Sequence, residues 1–221
     1  MPSSRMLLSP RMAAVCAGTV LAVGAMAQAQ TNPLQSRQVR WGTDSGLVNP
    51  GVKGSEYSVV YTTTVFVPQS PWLRLNFGPT ALPGAIEEGR GSYLRLTSLY
   101  DGAVQYLNSE SLSQWANTSA YFNGNAVRVE LFAKPGVGAS RVSISEVTAG
   151  LEDPGFPDSI CGPTDDRQLS TDARSSRHVP EGCSTWLFND TNRTFLTAGH
   201  CGISSGDVQQ FNVPLSNSNG S

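Results

Sequence analysis

The chain has 221 residues, of which 15 are basic and 17 acidic, so its formal net charge is −2. This balance supplies no basic field and excludes nucleic acid as an expected partner. Charged residues make up only 14%, Gly and Pro number 22 and 14, and no stretch after residue 30 has helical periodicity. The composition favours a β-rich protein.

Residues 1–29 have the pattern of a secretory signal peptide. Arg5 and Arg11 precede an apolar run from Met12 to Ala27, and the small residues of Ala27-Gln28-Ala29 follow. The run is short for a membrane-spanning helix. We therefore expect a secreted or periplasmic protein with no membrane attachment after cleavage. Removing the two arginines leaves a net charge of about −4.

Short alternating runs separated by turn residues fill the range 36–150, which predicts a series of half-buried strands. The alternating sets are Val59/Tyr61/Thr63/Val65/Val67, Leu73/Leu75/Phe77, Leu94/Leu96, Val127/Val129/Leu131 and Val142/Ile144. Turn signals lie between them at Asp101-Gly102, Asn123-Gly124 and Pro135-Gly136. With no helix and no cysteine expected in this range, the pattern predicts an antiparallel β-sandwich or jelly-roll domain.

Trp41, Trp72 and Trp115 are the largest side chains of this predicted domain. A row of exposed aromatic side chains can bind carbohydrate, but a tryptophan is more often buried. We predict core or edge positions for the three, and no ligand follows from them.

The composition changes over 151–179, which we predict to be a linker leading into the next domain. Pro, Asp, Ser and Arg dominate, and such a composition cannot bury a core. Arg174 and Arg177 would be accessible to proteases there. Asp165-Asp166 is interpreted as part of a solvated loop, since no partner for metal binding or acid/base work can be placed beside it.

A β-hairpin is predicted between Cys183 and Cys201. Trp186-Leu187-Phe188 and Phe195-Leu196-Thr197 read as two strands joined by a turn. The two cysteines lie 18 positions apart, beyond the outer ends of the hairpin. A disulfide there would contribute about 3 kcal/mol and would fix the backbone that carries His200. Rigid support of this kind suits a histidine that acts as a general base.

The stretch Thr197-Ala198-Gly199-His200-Cys201 resembles the catalytic-histidine motif of trypsin-like serine endopeptidases. Together with Cys183, the segment from Ser159 onward is similar to the secreted bacterial branch that includes lysyl endopeptidase. The resemblance implies the first strands of an incomplete trypsin-like double β-barrel over 180–221. It also implies a protein or peptide substrate, no cofactor, no metal, and a bond from Cys161 to a cysteine far downstream.

The same resemblance implies that His200 takes a proton from a nucleophilic serine while an aspartate holds its tautomer. In this family both partners follow the histidine at a distance, and Asp207, the one acidic residue after His200, is too near. Gly202 to Gly206 matches a Gly-x-Ser-x-Gly elbow, but it lacks the strand and helix that the motif needs, so Ser204 is interpreted as a turn residue. We expect one more strand at Phe211–Leu215 and no catalysis by this chain alone. Cleavage specificity and oligomeric state are not predicted.

Two other interpretations stay open. Zinc binding by Cys161, His178, Cys183, His200 and Cys201 is a formal possibility, although their spacings are irregular and export favours oxidised cysteines. The stronger rival is a non-catalytic secreted β-sandwich that binds carbohydrate or protein and carries a vestigial peptidase-like tail.

Overall fold

The structure is a computed structural model that describes residues 34–51, 53–151 and 172–213. Residues 1–29, Cys161 and most of the predicted linker lie outside the described residues. The described elements, in chain order, are the strands β1 (Ser36–Asp44), β2 (Ser58–Phe66), β3 (Trp72–Phe77), β4 (Tyr93–Ser98) and β5 (Val104–Leu107), the helix α1 (Ser109–Gln114), and the strands β6 (Phe122–Asn123), β7 (Ala126–Ala133), β8 (Ser143–Gly150), β9 (Ser175–Val179), β10 (Cys183–Leu187), β11 (Phe195–Thr197) and β12 (Val208–Phe211). No helix among the described residues is long and apolar enough to cross a membrane.

The strands form three four-stranded antiparallel sheets, which confirms the all-β prediction. The first sheet has the order β1-β8-β3-β6, the second β2-β7-β4-β5, and the third β11-β10-β9-β12. In the first two sheets, β1 pairs with β8, β2 with β7, β3 with β6 and β4 with β5. In sequence order, the first of the eight strands therefore pairs with the last, the second with the seventh, and so on to the β4–β5 hairpin. The chain thus doubles back on itself at this hairpin and forms one long antiparallel ribbon.

Buried side chains from the first and second sheets belong to one hydrophobic cluster. They come from alternate positions of the strands, such as Leu73 and Leu75 of β3 and Val127 and Val129 of β7, because a strand directs successive side chains to opposite faces. These are the alternating sets that the sequence predicts. Trp41 and Trp115 are partly buried against the cluster, whereas the half-buried Trp72 packs edge-on against Tyr121.

The prediction that Val59 shares the inner face of β2 is wrong. The pairing of β2 with β7 shifts register between Val59 and Tyr61, so one extra residue is inserted at Val60. A bulge of this kind reverses the alternation beyond it. Val59 is consequently exposed, while Tyr61, Thr63 and Val65 keep the predicted face.

The prediction of no helix in 36–150 is wrong at α1. Asn108 accepts a hydrogen bond from the Ser111 backbone N–H (2.8 Å), and the Ser111 hydroxyl accepts one from the Asn108 N–H (2.8 Å). This capping box satisfies N–H groups that would otherwise lack partners at the helix start. With six residues and only Leu112 buried, α1 is too short to show helical periodicity in the sequence.

Two boundaries near the third sheet also differ from the predictions. Ser175–Val179, assigned to the linker, forms β9 in the interior of that sheet. The last expected strand lies at Val208–Phe211 rather than from Phe211 onward, because β12 pairs with β9 and the backbone turns to positive φ at Asn212. Polar residues such as Ser176 and His178 dominate β9, and this composition concealed a buried strand.

Candidate active site

The hairpin predicted around His200 is present. β10 and β11 pair antiparallel with Trp186 opposite Leu196, and their connection turns at Asp190. The Asp190 carboxylate accepts hydrogen bonds from the Thr194 backbone N–H (2.8 Å) and hydroxyl (2.6 Å). These two bonds hold the pKa of Asp190 below its usual value. The turn is thus fixed by one side chain.

A disulfide joins Cys183 and Cys201 across the open end of this hairpin, as predicted from the spacing. The two Cα atoms lie 6.3 Å apart, and both side chains are buried. Cys183 begins β10 and Cys201 directly follows His200. The covalent link therefore fixes the backbone on the C-terminal side of the histidine, while β11 fixes it on the other side.

His200 lies in the turn after β11 and is exposed. The Cys201 backbone N–H donates to the Ala198 carbonyl (3.0 Å), which closes the turn around Gly199 and His200. Among the described residues, none forms a hydrogen bond with the His200 imidazole. The ring is accordingly presented to solvent from a braced backbone.

Asp207 is not brought to His200. Its Oδ2 lies 3.2 Å from Nε2 of His178 and accepts a hydrogen bond from the Ser204 backbone N–H (2.5 Å). The second contact folds Ser204 into a turn that precedes β12, in agreement with its interpretation as a turn residue.

The zinc ligand set considered from the sequence does not form. Cys183 and Cys201 are bonded to each other, so neither offers a thiolate, and His178 is fully buried in a different group of side chains. Cys161 lies outside the described residues. The irregular spacing of the set was the signal against it.

The buried His178 has no predicted role of its own. Its Nδ1 lies 2.7 Å from the side-chain amide of Gln209, which is the register partner of His178 across β9 and β12. Nε2 faces Glu181, Asp207 and the Gly202 carbonyl at 3.0–3.3 Å. The sequence feature that could have indicated the burial of His178 is its alternation with Ser176 on one face of β9.

A cleft on the outer face of the second sheet was not predicted, because it is built from tyrosines and the aromatic residues singled out in the sequence are tryptophans. Its volume is about 290 Å³, and it is lined by Tyr57, Tyr93, Tyr106, Ile86, Gly91 and Asn108. Ring centroids of Tyr57 and Tyr93 lie 5.0 Å apart, and those of Tyr93 and Tyr106 lie 6.0 Å apart. Burial raises the pKa of both Tyr57 and Tyr93 above the usual value.

Neither a protein-family model nor a curated protein nor a solved structure matches the chain significantly.

Proposed function

We propose that this chain is the N-terminal portion of a secreted serine endopeptidase in which His200 is the general base. The observation that carries the proposal is the exposed His200 held between a paired strand and a disulfide. A general base must keep its ring nitrogen within hydrogen-bond reach of the nucleophile, and backbone bracing on both sides serves that need. Its sequence context resembles the motif of trypsin-like peptidases.

The finer architecture belongs to the same proposal. The first eight strands form two sheets around one core, and in sequence order the first pairs with the last, the second with the seventh, and so on. This arrangement supports a jelly-roll β-sandwich over 36–150. We assign the third sheet to the start of a trypsin-like barrel. Phe195 and Phe211 lie on opposite edge strands of that sheet, and their ring centroids are 6.0 Å apart. A sheet that curves so that its edges approach each other, as in a barrel wall, would favour this contact.

In the proposed mechanism His200 accepts the proton of a serine hydroxyl as that oxygen attacks the peptide carbonyl, and returns the proton to the leaving amine. An aspartate orients the imidazole. No residue among the 221 matches the family's aspartate or serine positions, so the chain as given is proposed to be inactive alone. Export through residues 1–29 would place the enzyme outside the cytoplasm, where the disulfide forms.

The test uses the complete natural gene product that contains this chain, secreted by its own signal. We expect it to hydrolyse peptide substrates and to be labelled by a fluorophosphonate, which reacts with activated serines. His200→Ala is expected to lower kcat/KM by about 10⁴-fold or more and to prevent labelling. Ser204→Ala is the matched control and should retain both activities, because Ser204 is proposed to be only a turn residue. A secreted product that neither cleaves peptides nor reacts with the probe contradicts the proposal.

The tyrosine cleft favours the second candidate, a non-catalytic β-sandwich binding module with a vestigial peptidase-like tail. Aromatic faces pack against the C–H faces of sugar rings, and Asn108, whose amide oxygen caps α1, offers its amide nitrogen to hydroxyl groups. If this candidate is correct, soluble β-linked oligosaccharides should quench tyrosine fluorescence and Tyr106→Ala should abolish binding. Tyr100→Ala, also exposed but outside the cleft, should bind as the wild type does. Absence of binding to every oligosaccharide tested contradicts a carbohydrate ligand.

A further inference from the structure

The buried histidine of the third sheet faces more acceptors than it can satisfy. Nε2 of His178 lies 3.0 Å from Oε2 of Glu181, 3.2 Å from Oδ2 of Asp207 and 3.3 Å from the Gly202 carbonyl oxygen. A ring nitrogen carries at most one proton and can donate one good hydrogen bond. Three oxygens of the kind that bind cations therefore converge on one nitrogen inside the protein.

One of the two carboxylates, that of Glu181, also has a buried oxygen without a hydrogen-bond donor. Oε2 of Glu181 is buried and accepts no hydrogen bond from the described residues, because it lies off the direction of the ring N–H. No described Lys or Arg forms an ion pair with Glu181 or Asp207. A buried carboxylate oxygen with no donor is energetically costly unless a cation occupies the space beside it.

We propose that His178, Glu181, Asp207 and the Gly202 carbonyl form a binding site for a divalent metal ion of the Zn²⁺ type. The three side-chain ligand atoms lie within 4.8 Å of one another. A tetrahedral site with metal–ligand distances of about 2.0–2.2 Å has ligand–ligand edges of about 3.3–3.6 Å. The three distances from Nε2 fall at or slightly below those edges, so small adjustments place a cation at the centre.

The Gln209 amide beside the far side of the imidazole could serve a metal-bound histidine after a rotation of the amide. A histidine that ligates through Nε2 usually donates its Nδ1 proton to a fixed acceptor, which sets the ring orientation. In the structure the Gln209 amide nitrogen lies 2.7 Å from Nδ1, and the amide oxygen accepts a hydrogen bond from Thr185 Oγ1 (2.6 Å). With Nε2 bound to metal, the amide turns its oxygen to the Nδ1 proton and its nitrogen to the Thr185 hydroxyl.

The donor set selects the class of metal. One imidazole nitrogen with two carboxylates suits Zn²⁺, whereas Ca²⁺ and Mg²⁺ prefer sites made only of oxygen. The ion would join β9 to the loop between β11 and β12. This loop follows Cys201, so the metal would brace the chain just beyond the disulfide. The inference does not depend on the proposed peptidase function.

The first measurement is metal binding by the purified mature chain produced without a histidine tag. After dialysis against a chelator, titration with ZnCl₂ should show one site per chain and raise Tm by about 5 °C or more at saturation. CaCl₂ and MgCl₂ should not reproduce this shift. No Zn²⁺ binding, or a Tm shift with Ca²⁺ but not with Zn²⁺, overturns the proposal.

Variants locate the site. Glu181→Gln and Asp207→Asn remove charge with little change of shape, and each should weaken Zn²⁺ binding by about 100-fold or more while circular dichroism stays unchanged. His200→Gln is the matched control, because it alters the other histidine of the chain and should leave Zn²⁺ affinity unaltered. Wild-type affinity in both carboxylate variants, or loss of binding in His200→Gln, contradicts the assignment.

Discussion

The first two sheets and the third sheet are stabilised by different means. Within the part of the chain that the structure describes, eighteen hydrophobic residues form the core shared by the first and second sheets. In the third sheet the buried residues are few, and more than half are polar: Val179 and Cys183 beside Ser176, His178 and Thr185. The first region can rely on burial of apolar surface, whereas the second relies on a covalent link and a hydrogen-bonded network. A small sheet without a core of its own needs such cross-links.

A cavity in the shared core should cause the largest loss of stability. The loss of hydrogen-exchange protection should be confined to the first and second sheets. Leu96→Ala, at a fully buried position of β4, is expected to lower the free energy of unfolding by about 2–5 kcal/mol. Denaturant unfolding measures the loss, and hydrogen exchange shows where protection falls. Leu47→Ala, on an exposed leucine, should change stability little. Equal loss of protection in β10 and β11 would show that the regions unfold together.

Removing the disulfide should lower the stability of the third sheet and leave the first two sheets unchanged. The double variant Cys183→Ser/Cys201→Ser frees a loop with a sequence separation of 18, which corresponds to about 3 kcal/mol. We expect faster hydrogen exchange in β10 and β11 with unchanged exchange in β4 and β7. Dithiothreitol should have the same effect on the wild type and no further effect on this sheet in the variant. Unchanged exchange in β10 would contradict the role given to the disulfide.

The polar network of the third sheet can be disrupted by removing one hydroxyl group. Thr185→Val removes the group that lies 2.6 Å from both the Gln209 side-chain oxygen and the Ser176 hydroxyl. Both groups then lose their closest hydrogen-bond partner and keep only the longer contact between Ser176 and Gln209 (3.3 Å), so stability should fall by about 1–3 kcal/mol. Thermal unfolding followed by circular dichroism measures the change. Thr185→Ser should recover most of it, and Thr62→Val on an exposed face of β2 should not lower stability in this way.

The smallest effect concerns a polar pair in the first region. Arg95 donates to both carboxylate oxygens of Glu130 (2.8 and 2.9 Å), and these bonds hold the pKa of Glu130 below its usual 4.5. A lowered native pKa contributes stability that is present above pH 4.5 and is lost as the pH falls through the native value. The stability difference between wild type and Glu130→Gln, measured by urea unfolding, should therefore shrink below pH 4.5. In an Arg95→Gln background this pH dependence should be much weaker.

Local patterns predicted what depends on neighbouring residues in sequence. Alternation at Leu73/Leu75 and Val127/Val129 identified strands and their buried faces, and the spacing of Cys183 and Cys201 around two short apolar runs predicted the disulfide. In each case the signal lies within about twenty residues, where the geometry of a strand or hairpin sets the outcome.

The features that escaped prediction depend on partners distant in sequence. The bulge at Val60 is defined only by its pairing with β7, and the burial of His178 requires Gln209 of β12 opposite it. The tyrosine cleft combines residues from before β2, from β4 and from β5. Such arrangements follow from the topology of the sheets, which no local periodicity encodes.

The antiparallel pairing of β1 with β8 places the two ends of the 36–150 region side by side, with Ser36 opposite Gly150. A force that pulls these ends apart would load the hydrogen bonds one pair after another, as in a zipper, instead of shearing the whole strand at once. Tension between the N-terminal end of β1 and the third sheet would therefore peel β1 from β8 at modest force. The same adjacency lets this region be inserted into, or excised from, a longer polypeptide with little displacement of the flanking chain.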